Sequence, residues 1–300
     1  MGKILAPSTK LVYQRAWACY SECTTQLNLP KATVQSLPLS VHDMLIFISY
    51  LHLIGRSPST ITTYSSALGF AHRLLGLVNP MSYFPVQKTL STLTKRFSNA
   101  DSRLPITLFI LNKILDSLPV IVSNPYHVVL LSALFSTAFY GLFRVGEITI
   151  QNSGEISLNL DNVRVNNNQF IFSITKFKNN QTNKAFDVAI NRQNEVPHCP
   201  FQLLLQYLIH RGTKPGPFFV FSNKAPVPRS FFAKHLKAVL QYLDFKPALY
   251  KSHSFRIGGA SFLASRGYTD LQIKLMGRWN SDVFIRYIRD QRYYTGHPLE

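Results

Sequence analysis

The hydrophobic and polar positions of the first hundred residues repeat with a helical period. Apolar and aromatic residues recur at intervals of three and four in Lys10–Cys23 and again in "PVQKTLSTLTKRFS". The segment "LSVHDMLIFISYLHLIG" begins at a capping residue, Ser40, and ends at Gly55. A third segment, "SPSTITTYSSALGFAHRLLG", begins with a Ser57–Pro58 cap signal. The pattern predicts four short helices, which fit a small helical bundle.

A polar segment, "SNADSRLP", follows the fourth helix and ends at Pro105. Polar residues and a proline between periodic segments are typical of a connection between domains. We therefore predict a helical domain over residues 1–98, a linker over residues 99–105 and a second domain over residues 106–300.

The second domain changes its period after two apolar helices, "ITLFILNKILDSL" and residues 126–143. Apolar and polar residues alternate in "EISLNLDNVRV", "QFIFSITKF" and "NKAFDVAI", with a turn at Asn166–Asn168. These segments predict a small antiparallel sheet, so the fold class is mainly α with an α+β second domain. Helices are predicted again at Phe201–Arg211, Arg229–Leu243, Ser254–Arg266, Asp270–Met276 and Asp282–Asp290.

The composition adds a strong positive charge to this picture. The 300 residues contain 32 Lys and Arg against 14 Asp and Glu, a net charge of +18, while 46% hydrophobic residues exclude wholesale disorder. A polyphosphate is the partner that this excess favours. If about 6–10 phosphates are contacted, affinity falls roughly 10³–10⁵-fold between low and moderate salt. Nucleic acid is thus the predicted partner. A merely soluble basic protein, or a ribosomal or RNA-binding one, is the simpler alternative explanation of the charge.

Other classes of protein are disfavoured by the sequence. Three cysteines do not make a disulfide framework, and no CxxC or HExxH motif indicates zinc. We expect no metal and no cofactor. The apolar stretch 128–143 is short for a membrane span and runs into Arg144, so we predict a buried core helix. The N-terminus lacks the long apolar core of a signal peptide.

Several candidate residues stand at the edges of predicted helices. Arg144 follows directly on the apolar stretch, where an unpaired guanidinium would be costly, and Glu147 can pair with it. His253 and Arg256 share one face near a helix N-terminus and together form a potential anion site. The small residues that follow them, beginning at Gly258, allow close packing that places this face inside the domain.

Three further candidates lie on the predicted hairpin or near the C-terminal end of the chain. Lys178 lies at the hairpin tip, with Lys176 and Lys184 as competing candidates, and Trp279 and Tyr287 belong to the last helix. Each residue alone is more simply explained as structural or solvated.

Together these side chains can surround one phosphodiester. Arginines stabilise charge on equatorial oxygens, a lysine protonates the leaving oxygen, and nearby cations lower the phenol pKa of about 10. No metal is required for this chemistry.

The order of these residues resembles that of the tyrosine recombinase (phage integrase) superfamily: Arg, Lys, His-x-x-Arg, His or Trp, then Tyr. It appears here in "GLFRVGEI", "TKFKNNQ", "HSFR", "GRW" and "RYIR". The wording "HSFRIGGAS … LMGRWNSDVFIRYIR" is most similar to recombinases of eukaryotic mobile elements of the DIRS and Crypton types. "SPSTITTYSSAL" resembles the family's helical, SAM-like core-binding domain. The resemblance covers about residues 10 to 290.

The resemblance implies a role for each residue. Tyr287 attacks the scissile phosphate and forms a 3′-phosphotyrosyl bond, while Arg144 and Arg256 hold the non-bridging oxygens. Lys178 protonates the leaving oxygen, and His253 assists proton transfer or positions the phosphate. Trp279 replaces the His of many members, and Glu147 orients Arg144.

The resemblance also implies partners and a location. The two domains clamp opposite faces of double-stranded DNA, and four protomers assemble on two sites, with a monomer or dimer when free. No membrane is involved, and the nucleus is the expected compartment. The predicted DNA-binding residues are Arg56, Ser59, Thr60, Thr63, Lys95, Arg96 and Lys251.

Some alternatives stay open at this point. The spacing of eight residues between Trp279 and Tyr287 is one shorter than in many bacterial members, and Tyr268, Tyr293 and Tyr294 are weaker candidates for the nucleophile. A type IB topoisomerase-like enzyme shares the covalent step. A domesticated DNA-binding protein without catalysis is the remaining alternative.

Overall fold

The structure is a computed structural model that describes residues 5, 7–29, 37–97, 103–150, 158–175, 184–193, 197–280, 284–285 and 288. The chain divides into two compact units, Met1–Asp101 and Ser102–Glu300. The division falls inside the segment 99–105, which the sequence analysis assigned to the linker.

The described residues of the first unit form four α-helices, as predicted. Ser40 caps the second helix with a full capping box, because its side chain accepts from Asp43 N and the Asp43 carboxylate accepts from Ser40 N. Ser57 accepts from Thr60 N at the start of the third. Both serine caps are therefore confirmed. The helices are α1 (Pro7–Gln26), α2 (Val41–Leu53), α3 (Pro58–Leu74) and α4 (Phe84–Phe97).

One core holds these four helices together. It includes the fully buried side chains of Phe47 and Ile61, from α2 and α3. His72 of α3 is also buried, and its Nε2 accepts from Leu39 N at 2.8 Å while its Nδ1 lies 2.9 Å from Leu68 O. A neutral ring with the proton on Nδ1 satisfies both contacts and ties α3 to the chain that precedes α2.

The second unit is built around one central helix, α6, which spans Pro125–Tyr140. Its residues from Leu130 to Phe139 are all buried, which confirms the predicted core helix. The helix ends at Tyr140, three residues before the predicted end, because Gly141–Phe143 turns away. Among the described residues, no helix is long and apolar enough to cross a membrane. The helices of this unit are α5 (Leu108–Ile121), α6 (Pro125–Tyr140), α7 (Val145–Ile148), α8 (Pro200–Arg211), α9 (Arg229–Tyr242), α10 (Ser252–Ser265) and α11 (Asp270–Met276).

The predicted antiparallel sheet is present, in the order β1 (Val163–Val165), β2 (Gln169–Ile174) and β3 (Phe186–Asn191). Phe172 of β2 lies opposite Val163 on one side and Val188 on the other. The Asn166 side chain accepts from the backbone N–H of Asn168 and Gln169, which makes the predicted turn.

Two elements differ from the sequence analysis, and a third prediction falls mostly outside the described residues. The first strand was predicted over 155–165. In its described part, from residue 158, Leu160–Asn162 forms a 3₁₀ turn in which Asn162 accepts from Asn159 N, and Val163–Val165 joins the sheet. The short helix α7 was not predicted. Most of the predicted last helix, 282–290, lies outside the described residues.

Two adjacent glycines bring α10 against the centre of the unit. A Cβ at Gly258 would lie 1.7 Å from the carbonyl oxygen of Ile106, and a Cβ at Gly259 would lie 2.3 Å from that of Phe139. Any side chain would therefore push α10 away from α6 and from the segment before α5. The prediction that small residues permit close packing here is confirmed, and Arg256, two residues before Gly258, has no exposed surface.

Candidate active site

Arg144 and Glu147 form the outer part of a charged cluster. Arg144 is the N-cap of α7, and its Nη1 donates to Glu147 Oε1 at 2.9 Å. The backbone N–H of Arg144 donates to Glu147 Oε2, also at 2.9 Å. The Arg144 side chain is 27% exposed whereas that of Glu147 is 5% exposed. The predicted pair is confirmed, with its guanidinium reaching the surface and its carboxylate buried.

Arg256 lies behind this pair, inside the unit. Its Nη1 donates to the carbonyl of Leu142 and its Nη2 donates to the carbonyl of Gly277. Its guanidinium carbon lies 4.2 Å from the centre of the Trp279 ring, and that ring stacks on Phe284. The structure thus brings Arg256 and Trp279 into direct contact, as a cation–π pair.

The two carbonyls that accept hydrogen bonds from Arg256 belong to two turns with the same backbone geometry. Gly141 ends α6 and Gly277 ends α11, and in each case the next residue is left-handed: Leu142 has φ 48° and Arg278 has φ 56°. An aromatic ring then folds back over each glycine, where a Cβ would lie 2.3 Å from Phe143 and 1.7 Å from Trp279. Helix C-termini carry partial negative charge, so two of them converge on this guanidinium.

Arg278 is a site residue that the sequence analysis missed. Its Nη2 donates to Glu147 Oε2 at 2.9 Å and to Leu142 O at 3.1 Å, and its Nη1 lies 3.2 Å from Met276 O. The side chain is 1% exposed. A signal was present in "MGRW", where a cation stands between a glycine and a tryptophan in an apolar setting. The sequence analysis assigned a role to Trp279 in this motif and none to Arg278.

The charges in the cluster settle the protonation of its carboxylate. Burial favours the neutral acid, but Arg278, Arg144 and Arg256 outweigh it and hold the pKa of Glu147 below its usual value. Burial lowers the pKa of Arg278, and Glu147 opposes that effect. Three cations around one anion leave a net positive charge, which suits an added phosphate.

Of the remaining predicted site residues, some belong to the described part of the chain and others lie outside it. His253 is half-buried on the first turn of α10, one turn before Arg256, and the exposed Lys251 is the N-cap of that helix. Lys178, Lys176 and Tyr287 lie outside the described residues. Lys184 is described and lies two residues before β3.

The predicted DNA-binding residues of the first unit lie at two helix ends. One group is at the N-terminal end of α3 and the other is at the C-terminal end of α4, and most of these side chains are exposed. The first group is Arg56, Ser59, Thr60 and Thr63, and the second is Lys95 and Arg96. Within the part of the chain that the structure describes, no three His, Cys, Asp or Glu side chains come together.

Comparison with known proteins gives structural matches. No protein-family model and no curated protein matches the sequence. The structure of the Tn1549 transposon integrase in complex with transposon right end DNA superposes with a TM-score of 0.68 at 15% identity, over 97% of this chain and 94% of that one. A lambda integrase dimer bound to a COC′ core site gives 0.63 at 13% identity, over 100% and 94%.

A third solved structure agrees with these two. The XerH site-specific recombinase bound to its difH substrate gives a TM-score of 0.53 at 14% identity, over 84% of this chain and 67% of that one. At such identities the likeness establishes the fold and nothing finer. The mostly helical chain with its three-stranded antiparallel sheet has the fold of the tyrosine recombinases.

Proposed function

We propose that the protein is a site-specific DNA recombinase that cleaves and rejoins strands through a 3′-phosphotyrosyl intermediate. The observation that carries the proposal is the cluster of three guanidiniums around the Glu147 carboxylate. The cluster stands on a fold shared with integrases whose structures contain DNA. Preorganised cations stabilise the charge that develops on a phosphate during displacement, without a metal ion.

In the proposed step the phenol oxygen of Tyr287 forms a bond to phosphorus, and the bond from phosphorus to the 5′ oxygen breaks. The departing oxygen takes a proton from Lys178, and His253 assists removal of the phenol proton. Rejoining reverses the step with the 5′-hydroxyl of another strand. The phosphodiester bond energy is conserved in the tyrosyl ester, so the reaction needs no nucleotide or redox cofactor.

The two predicted phosphate-binding arginines have different surroundings. Arg144, whose side chain is partly exposed, is proposed to contact a non-bridging oxygen directly. Arg256 is buried between two helix ends, and we propose that it adds charge behind Arg144 and a second phosphate contact when DNA is bound. Trp279 holds the Arg256 guanidinium from one side, in place of a titrating group.

The DNA is proposed to contact both units, through the helix ends of the first unit and Lys251 of the second. The net charge of +18 supplies the general attraction. Binding should therefore weaken steeply with salt, by roughly 10³–10⁵-fold between 50 and 200 mM if about 6–10 phosphates are contacted.

The biological setting is the finer part of the proposal. The resemblance to DIRS and Crypton recombinases favours integration or excision of a mobile element, in the nucleus, by four protomers on paired sites. A type IB topoisomerase would instead relax supercoiled DNA as a monomer, without paired sites. A relaxation assay on plasmid that lacks a recombination site separates the two.

The decisive experiment is the trapping of a covalent adduct. The protein is incubated with a nicked suicide duplex, whose cleaved end cannot be religated, and an SDS-resistant protein–DNA species is expected. Tyr287→Phe should abolish the adduct and retain DNA binding, whereas Tyr268→Phe, a matched change at an exposed turn, should retain both. Binding without any adduct would instead identify a non-catalytic DNA-binding protein, and an adduct in Tyr287→Phe would reassign the nucleophile.

The cationic residues are tested in the same assay. Arg144→Gln should slow adduct formation about 10²–10³-fold, the typical loss for one preorganised donor. Lys178→Ala should slow cleavage far more than Lys176→Ala, and the reverse order would assign proton donation to Lys176.

A further inference from the structure

We infer that Arg278 is a positioning residue for strand cleavage, which acts on Arg144 through the carboxylate of Glu147. The inference deepens the proposed function and rests on it. No phosphate contact is assigned to Arg278 itself, because its guanidinium is enclosed by the unit and bonded to Glu147 and to backbone carbonyls.

The contacts form a chain that leads from the interior to the surface. Arg278 Nη2 and Glu147 Oε2 are 2.9 Å apart, and Glu147 Oε1 and Arg144 Nη1 are 2.9 Å apart. The exposed fractions of the three side chains are 1%, 5% and 27% along this chain. Each carboxylate oxygen therefore holds one guanidinium, and the outward guanidinium is the one proposed to meet the phosphate.

The backbone at Arg278 gives a second observation. Its φ of 56° is left-handed, a conformation that costs a non-glycine residue about 1 kcal/mol or more. Such a conformation persists only where the surroundings fix it. Here the guanidinium carbon lies 5.1 Å from the centre of the Phe143 ring, and both terminal nitrogens face carbonyls at the end of α6 or α11. A residue held this firmly can fix Glu147 in turn.

The carboxylate cannot hold Arg144 equally well without Arg278. Burial alone would drive Glu147 toward its neutral form, and Arg278 is the strongest of the cations that oppose this. The charged groups facing Glu147 are Arg144, Arg256 and Arg278. Removal of Arg278 should raise the pKa of Glu147, so that the anion and its bond to Arg144 are lost at a higher pH.

The test uses Arg278→Gly, because glycine adopts the left-handed backbone without strain. Lys224→Gly is the matched control, since Lys224 is a basic residue with φ 67° whose Nζ donates to a carbonyl away from the cluster. On the suicide duplex, Arg278→Gly should form the adduct about 10- to 100-fold more slowly, the range typical of a residue that orients a functional group. Lys224→Gly should retain the wild-type rate, and both variants should bind DNA normally.

Two readouts separate positioning from a merely structural role. The acid limb of the cleavage pH profile should move to higher pH in Arg278→Gly. The pKa of Glu147 should rise as well. It is measured from the ¹³C chemical shift of the Glu147 carboxyl carbon, as a function of pH, in labelled protein without DNA. The chain has five glutamates, so Glu147→Gln assigns the resonance by its loss. In the E147Q background, Arg278→Gly should have little further effect on the rate.

The possible failures are distinct. No adduct from the wild-type protein on DNA that it binds would refute the proposed function and the cleavage role of Arg278 with it. A wild-type adduct, combined with an Arg278→Gly variant of unchanged rate and pH profile, would refute the positioning role alone. If Arg278→Gly does not fold, Arg278→Lys keeps the charge but not the forked geometry, and a smaller acid-limb shift is expected; no shift in that variant would also refute positioning.

Discussion

Two buried arginines of the second unit, Arg211 and Arg256, have opposite kinds of surroundings. Arg211 is 1% exposed, and all five of its N–H groups are directed at carbonyls of the loop that follows it, from Gly212 to Phe218. Arg256 donates to Leu142 and Gly277, which lie 114 and 21 residues away along the chain. One guanidinium closes a local loop, and the other joins distant elements.

The difference shows what distinguishes a structural arginine from a candidate functional one. The Arg211 guanidinium donates all five of its N–H groups to carbonyls of its own loop, and these contacts leave no donor for a ligand. The cluster around Arg256 includes the Glu147 carboxylate and the guanidiniums of Arg144 and Arg278, and the Arg144 side chain is partly exposed. The Arg211 loop is a local cage, because its carbonyls lie within seven residues of Arg211, whereas the cluster needs α6, α7, α10 and α11 together.

The largest expected effect is on the local cage. Arg211→Met removes five hydrogen bonds to carbonyls, of which Phe218 O keeps the Tyr207 hydroxyl and Gly216 O keeps Leu160 N. Because the other three carbonyls lose the guanidinium donor in a buried setting, the free energy of unfolding should fall by at least about 3 kcal/mol. Chemical denaturation measures this loss. Arg192→Met is the control, because Arg192 makes one carbonyl contact to Asn167 and lies over Phe201, so its loss should stay below about 1 kcal/mol. Equal losses of unfolding free energy in Arg211→Met and Arg192→Met would contradict the structural role assigned to the Arg211 cage.

A smaller loss of stability is expected from a change that affects the cluster around Arg256 and leaves the Arg211 loop intact. Gly258→Ala drives α10 away from Ile106, which should cost about 1–3 kcal/mol and should slow adduct formation, because Arg256 moves with the helix. Gly146→Ala is the control for stability, since a Cβ there has nothing within 4 Å, and it should be neutral or stabilising. A Gly258→Ala variant with full stability and full activity would show that the cluster does not depend on this approach.

The smallest expected effect concerns pH. Because the folded pKa of Glu147 is lowered, its ionised form contributes stability that is complete above the ordinary pKa of a glutamate. That contribution is lost as pH falls through the lowered pKa. The difference in unfolding free energy between wild type and Glu147→Gln should therefore be constant at neutral pH and shrink in acid. A difference that stays constant into strong acid would indicate that Glu147 is not held by the cations.

The sequence predicted those parts of the molecule in which local signals decide the structure. Serine caps at Ser40 and Ser57, the apolar run of α6 and the alternation of β2 all indicated their elements, because capping and burial act over a few residues. The pairing of Arg144 with Glu147 was predicted for the same reason, as the two are three residues apart.

The rest depended on contacts that no spacing encodes. Arg278 and Glu147 are 131 residues apart, and nothing in either segment indicates that they meet. The carbonyl partners of Arg256 were missed because both depend on left-handed residues, Leu142 and Arg278, that are not glycine. The first strand was predicted too long because the Asn159–Asn162 side-chain contact bends a segment whose residues still alternate.

The two glycine turns also bear on how such a site can diversify. In each, an aromatic ring folds over the glycine, and the left-handed residue between them sends its side chain to a different environment: Leu142 packs in an apolar cluster, whereas Arg278 reaches Glu147. Leu142 fills this place with an apolar group and Arg278 fills it with a cation. The same turn therefore serves the apolar core in one place and the charged site in the other, according to the residue that occupies its left-handed position.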